Sequence, residues 1–333
     1  MADILSIGGE PIFDERIVGI ETHTYNPYMN TKFGHDEIRI PIQQQDLYTL
    51  PCDSFLYVEG RLYDDGATTS EVRDDQRQYA KLVNNCVAFM FAEIRYELDG
   101  VEIDRCRNVG ITSTIKNYVS LTAERARRLQ NAGWSYPTNE SNLNSASRQF
   151  NFCVPLNILL SFCEDYNRVS TTKHSWAVKA APELEKPQYV ILALQTGWRN
   201  EFTEDSLRFD HCALANVKLY LNSKFYPYDD VNADFESDKF AVLYEMYAKF
   251  RGAYYGDGRD DALFSPCEFA RVAPLVVVDC SRQNETVKSA TVDVRIEFEC
   301  KENVPPKTTA FCLIVHDRVI EYGPLTNVVR KII

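Results

Sequence analysis

The sequence predicts an all-β fold, an antiparallel sandwich or barrel carrying a few short helices. Three observations point that way. Strand-forming residues abound, with 19 Tyr and 18 Phe beside many Val, Ile and Thr, and they fall in short runs bounded by turn residues. The run Ala290 to Cys300 alternates, placing Val292, Val294, Ile296, Phe298 and Cys300 on one face and Asp293, Arg295, Glu297 and Glu299 on the other. That is the pattern of a strand with one buried and one wet face. Helical periodicity is sparse, and no strand–helix–strand rhythm suggests a parallel sheet.

Taken along the chain, strands are expected at 17–24, 37–43, 54–63, 86–98, 150–157, 174–180, 187–196, 212–221, 274–279, 289–300 and 308–317. A helix is expected at 112–121 behind a Ser or Thr cap, and another at 122–131 running to Gly133. A third is expected at 238–250, where Ala241, Tyr244, Met246 and Tyr247 recur at helical spacing before Gly252. Polar stretches at 64–75, 139–147 and 256–261 read as exposed loops. Segment 92–100 resembles segment 215–223: each runs through Ile or Val, then Arg or Lys, then Leu, into Asp99-Gly100 or Asn222-Ser223. The likeness suggests two similar β domains in tandem.

Composition narrows the function. The chain holds 48 acidic and 36 basic residues in 333, a formal charge of −12. That length fits two domains or one large all-β domain, and a core of that size folds without disulfides or metals. So acidic a chain disfavours direct nucleic-acid binding, which draws on clustered Lys and Arg. No run approaches about 18 apolar residues, so no membrane span is expected. Residues Met1 to Gly9 do not read as a signal peptide, and the expected location is intracellular, in cytoplasm or nucleus. The ten cysteines form no CxxC pair and lie in apolar runs, so buried reduced thiols are expected.

No catalytic signature is legible. Gly110 to Lys116 lacks the second glycine and the Lys-Ser/Thr ending of a phosphate loop. Histidines 23, 35, 174, 211 and 316 are scattered, and His23 with His35 has no supporting cysteine for zinc. His316-Asp317-Arg318 reads as a polar turn. Asp229-Asp230 and 257–261 read as solvated acidic loops, and Cys280 near Arg282 as a strand end. No catalytic, cofactor-binding or metal residue is assigned, and the chain is expected not to be an enzyme.

A set of segments in order carries a resemblance: Asp36 to Tyr48, Phe91 to Asp104, Phe152 to Tyr166, Val217 to Ser223, Val278 to Glu285 and Thr308 to Asp317. Together they resemble the double jelly-roll major capsid proteins of the Polinton (Maverick) and adintovirus-like group, virus-derived mobile elements of animal genomes. The likeness covers nearly the whole chain. Its most useful piece is Pro155-Leu156 leading into Glu164-Asp165-Tyr166, and these five residues, with Asp99, Gly100 and Asn222, are the structural and assembly candidates. The resemblance implies tandem jelly rolls, here 1–169 and 170–333. It implies homotrimers forming pseudo-hexagonal capsomers, an icosahedral shell, and a minor capsid or penton protein as a further partner. The assembled setting would be a virion or virus-like particle.

The chain departs from the family pattern at Asn167-Arg-Val-Ser170, which alone joins Tyr166 to Thr171. Relatives carry a longer stretch there, supplying the last strands of the first jelly roll and the first strands of the second. Three outcomes follow: two trimmed sandwiches, one merged sandwich, or a repurposed copy that no longer builds capsids. Each exposes strand edges that favour pairing with another chain. An alternative of another class is a β-sandwich module binding glycans or a receptor, with Tyr25, Tyr28, Trp198, Tyr226 and Tyr228 placed to stack on sugars.

Overall fold

The computed structural model describes residues 19–28, 37–43, 51–61, 82–135, 149–160, 164–165, 173–178, 187–197, 206–222, 224–256, 261–282, 293–316, 319–323, 326 and 328–332. The chain divides into an N-terminal unit, Met1–Ser54, and a main unit, Phe55–Ile333. In the N-terminal unit the described residues of 17–24 and 37–43 are irregular rather than strands. Ile20, Ile40 and Ile42 are exposed, so the apolar alternation there serves no buried face.

The first part of the main unit holds β1 (Phe55–Arg61), α1 (Cys86–Phe89), β2 (Glu93–Leu98), β3 (Val101–Arg107), α2 (Val109–Ser120), α3 (Ala123–Arg128), β4 (Gln149–Pro155) and α4 (Leu156–Leu159). The second part holds β5 (Glu164–Asp165), β6 (Lys173–Val178), β7 (Pro187–Thr196), β8 (Leu214–Leu221), β9 (Lys224–Tyr226), α5 (Ala241–Tyr255) and α6 (Pro266–Val272). It continues with β10 (Val276–Asp279), β11 (Val294–Cys300), β12 (Thr308–His316) and a closing hairpin of β13 (Val319–Gly323) and β14 (Val328–Ile332).

Two four-stranded antiparallel sheets form in the second part, ordered β10-β7-β12-β5 and β6-β11-β8-β9. The successive pairs β5/β6, β7/β8, β9/β10 and β11/β12 each split between the two sheets, which is jelly-roll winding with all eight positions filled. β5 takes its place by pairing with β12, Asp165 opposite Phe311 and Glu164 opposite Cys312. By strand pairing the eight-strand set runs from Glu164 to His316. The physical reason is backbone satisfaction: a strand belongs with the sheet that takes its N–H and C=O groups. In the first part, the described residues form two two-stranded sheets, β1 with β4 and β2 with β3.

Burial follows coverage. β11 alternates as expected, with Val294, Ile296, Phe298 and Cys300 buried and Arg295 and Glu299 exposed. β7 does not: Tyr189 to Leu194 are all buried, because its sheet is covered on both faces. One face meets the other sheet, and α2 and α5 contact β12 and β10 of the same sheet. Residues 86–89 are a helical turn instead of the expected strand. Cys86, Val87 and Ala88 are buried in succession, a run without period in which strand and helix look alike. The helix expected at 238–250 spans Ala241–Tyr255, running through Gly252 and stopping at Gly256, whose φ of 68° is the left-handed value glycine accepts.

Helix α2 is buried nearly all round, polar residues included. Each polar group there needs an internal partner. Asn85, itself left-handed at φ 57°, donates from Nδ2 to Ser113 Oγ at 2.8 Å, Thr114 Oγ1 at 3.1 Å and Gly110 O at 3.4 Å. Thr112 Oγ1 donates to Arg107 O at 2.7 Å. Gly110 gives room to the Phe89 ring, which an added Cβ would meet at 2.3 Å. Lys116 Nζ donates to the carbonyls of Asn157 and Leu160, the open C-terminal end of α4, where a cation is favoured.

Tyr118 closes the helix onto the second part. Its hydroxyl donates to Leu207 O at 2.9 Å, and its carbonyl accepts from Tyr247 Oη at 3.0 Å. Its ring meets Trp134, Phe209 and Phe264 edge-on at 5.7, 6.1 and 4.9 Å between centroids. One continuous core runs from Val58 to Ile314.

Two predictions follow. Asn85→Ala removes three buried acceptor contacts and leaves the new residue left-handed, so unfolding free energy falls by about 2–3 kcal/mol, read by urea denaturation. Burial pulls the Lys116 pKa down to about 8 from 10.5, so between those values the unfolded chain binds more protons and stability from this site rises with pH. Cys86 and Cys212, pushed up to about 11, and Cys300, to about 12, from an ordinary 9, act oppositely: the unfolded chain loses protons first, and stability falls above pH 9. From pH 7 to 9 the wild type gains stability over Lys116→Met in urea titrations; parallel profiles would contradict the lysine's role.

Candidate assembly surface

The residues marked in sequence occupy four places in the fold. Pro155 ends β4 and stands at the start of α4, with Leu156 as the first helical residue. Its fixed φ, −59° here, suits a helix entry. Both side chains are half-buried, above the buried Ile158 and Leu159. This corner therefore sets the chain's course from β4 into the helix that Lys116 holds. Glu164 and Asp165 form β5, at the end of its sheet order. Tyr166 lies outside the described residues.

Asp99 and Gly100 make the exposed two-residue turn of the β2–β3 hairpin, with φ of 48° and 76°. Two left-handed residues match the twist of the flanking strands. Asn222 takes φ 53° after β8. Its N–H donates to Asp293 O at 3.0 Å, and its Oδ1 accepts from Asp293 N at 2.9 Å. The asparagine thus ties the β8–β9 turn to the entrance of β11. Asp99 and Asn222 thus share a left-handed φ at the end of their strands.

Three exposed apolar features stand out among the described residues, and of their members only Tyr228 was marked in sequence. On β1, Phe55 and Tyr57 are 51% and 53% exposed and lie opposite Pro155 and Cys153 of β4. Among the described residues β1 and β4 pair only with each other. The run Phe55-Leu-Tyr-Val58 is apolar at both parities, which is the signal that both faces of the strand want cover.

A second feature lies on β8 and β9. Tyr228 is 83% exposed and stacks on Phe225 with centroids 5.8 Å apart and planes 9° apart. Lys218 holds that platform: its Nζ lies 5.3 Å from the Phe225 centroid, donates to Pro227 O and Tyr228 O at 3.1 Å each, and pairs with Asp230 at 2.9 Å. Arg295 covers the neighbouring Tyr220 ring at 4.3 Å. The third feature is α5, which exposes Val242 near its start and Tyr254 and Tyr255 at its C-terminal end.

Among the aromatics considered for sugar stacking, Tyr28 and Tyr228 are exposed, while Tyr25 and Tyr226 are half-buried. Tyr226 packs against the core, and Trp198 lies outside the described residues. Eight described cysteines are free thiols, and five are buried. Cys267, however, is exposed on α6, so burial does not extend to every thiol as the apolar runs suggested.

No helix among the described residues is long and apolar enough to cross a membrane. Comparison with curated proteins returns no match. The double jelly roll-like domain family matches residues 80–170 and 169–320. The second match contains β6 to β12, seven of the eight strands in jelly-roll order. The two segments follow one another across most of the chain, on a framework of antiparallel sheets with a few short helices. The chain belongs to the double jelly roll-like domain family, the architecture of capsid-type proteins.

Proposed function

We propose that this chain is a major capsid protein of the Polinton or adintovirus-like kind, whose copies associate in threes and tile a closed icosahedral shell. The observation that supports it best is the tandem match to one family over residues 80–170 and 169–320. Two related units in one chain let three copies present six similar positions, a geometry that packs into hexagonal arrays. The role is structural rather than catalytic. The acidic charge of −12 suits a shell wall that does not itself condense the genome.

The strand pairing supports a second sandwich of eight strands in jelly-roll order, β5 to β12. The exposed Phe55 and Tyr57 favour an oligomer, since they find cover in a neighbouring copy. The principal partner is the chain itself, with a minor capsid or penton protein closing the shell. The expected location is cytoplasm or nucleus before assembly.

A second reading, a glycan-binding module, draws on the rigid Phe225–Tyr228 platform, since exposed flat aromatic faces suit sugar rings. A glycan array with no hit removes it.

Light scattering on purified protein, with the same fractions viewed by negative-stain electron microscopy, tests the capsid reading. The expected particle has three times the 38.2 kDa chain mass, or forms hexagonal plates and shells. A strict monomer at every salt and protein concentration overturns it. Replacing Phe55 and Tyr57 together by Glu is expected to leave the circular dichroism unchanged and to raise the concentration needed for assembly at least tenfold, as truncating interface anchors does.

A further inference from the structure

The turn that opens β8 is unusual in its residues and in what holds it. Leu214 N–H donates to His211 O at 2.8 Å, and the two central residues, Cys212 and Ala213, have φ of 45° and 50°. This is a type I′ turn, a shape that normally calls for Asn-Gly. Cys-Ala is disfavoured there because each Cβ crowds the backbone. A side chain supplies the hold: His211 Nδ1 accepts from Ala213 N–H at 3.0 Å. The imidazole is thus neutral, with its proton on Nε2. Its ring is fixed flat against Phe235 at 4.6 Å and 12°, and Phe235 in turn stacks on Phe240 at 5.6 Å and 11°.

The turn is a junction. Asp210 N–H donates to Leu194 O at 2.8 Å, and Asp210 Oδ2 accepts from Thr196 N–H at 2.8 Å, both on β7. Ala213 O accepts from Lys301 N–H at 2.9 Å, just past β11. One end of the sandwich is therefore gathered at this point, beside a cavity of about 880 Å³ bordered by Thr196, His211, Cys212 and Phe235. Charged and titratable groups reach the cavity from every side: Arg208, Asp210 and Cys212 on the same segment, Glu236 next to Phe235, Cys267 and Arg271 on α6, and Glu302 and Lys307 between β11 and β12. Burial pulls the His211 pKa below its ordinary value; Asp210 and Glu236 oppose that and Arg208 reinforces it.

We propose that His211 is a pH-operated latch: a proton taken from solvent onto Nδ1 removes the acceptor for Ala213 N–H, sets two donors face to face, and releases the Cys212–Ala213 turn at this end of the sandwich. The device needs two elements, a titratable acceptor and a turn that its own residues do not favour, and both are present. The latch belongs to the second sandwich and stands whether or not the chain builds shells.

Hydrogen–deuterium exchange of peptides spanning residues 208–216, followed from pH 7.5 to 4.5 and corrected for intrinsic exchange, tests it. The decisive variant is His211→Asn, since an asparagine oxygen accepts from the N–H two residues on without titrating. Wild-type protection is expected to fall at least tenfold with a midpoint below about 6.5, the ordinary histidine value. His211→Asn stays protected throughout, and His211→Ala is open at both ends of the range. A flat wild-type profile overturns the proposal. So does a His211→Asn profile that falls like the wild type, which assigns the trigger to the neighbouring carboxylates. Ring ¹⁵N spectra of the wild type at pH 7.5 give a reading free of any variant: a proton on Nε2 is expected, and one on Nδ1 overturns the latch.

Discussion

Helix α2, buried nearly all round, leaves few of its polar groups to water and imposes that constraint on everything around it. Its Ser113 and Thr114 require Asn85, which in turn takes a left-handed backbone at the mouth of α1. Its Lys116 requires the open carbonyls at the end of α4, which fixes where the chain turns after β4. Its Tyr118 requires Leu207 and Tyr247 from the second part. Tyr247 is bound on its other side by Phe264 N–H at 3.2 Å. A buried network of this kind costs stability when any member is missing, and it specifies one arrangement when all are present.

The same helix explains why the sheets differ. The β10-β7-β12-β5 sheet lies between its partner sheet and the helical layer, so β7 and β12 are apolar almost throughout. The β6-β11-β8-β9 sheet keeps one face wet, and that face carries Lys218, Tyr220, Arg295 and Glu297. Exposed aromatics gather where neither layer gives cover, at β1, at the β9 edge and along α5. A capsid-type role uses such places, because a rigid sandwich transmits contacts at its edges and turns to the next copy without rearranging.

Much of this was legible in the residues. The run at 187–196 is a strand from end to end, and β11 shows the alternation its sequence carries. The turns at Asp99-Gly100 and Asn222 follow from residue types that tolerate positive φ. Other features were not legible. Residues 19–24 and 37–43 carry apolar residues yet are irregular, because local pattern carries no information about whether a partner strand arrives. Residues 86–89 have no period, and their helical turn is set by the contact of Asn85 with α2. Phe55 and Tyr57, apolar residues of an expected strand, lie exposed, since coverage of the second face depends on what packs there.

By itself, the sequence determined the β character, the jelly-roll resemblance, the turns at Asp99-Gly100 and Asn222, and the absence of a long apolar span. These rest on interactions between residues a few positions apart, or on composition summed over the chain. Only the tertiary structure decided that Glu164 and Asp165 complete the second sandwich, that α2 locks the two parts together, and that His211 holds the strained turn before β8. Each of these is a hydrogen bond or packing contact whose partner or consequence lies outside the local pattern. Which distant group satisfies a buried donor is fixed by the assembled core, so it is decided at folding and not by neighbours in the chain.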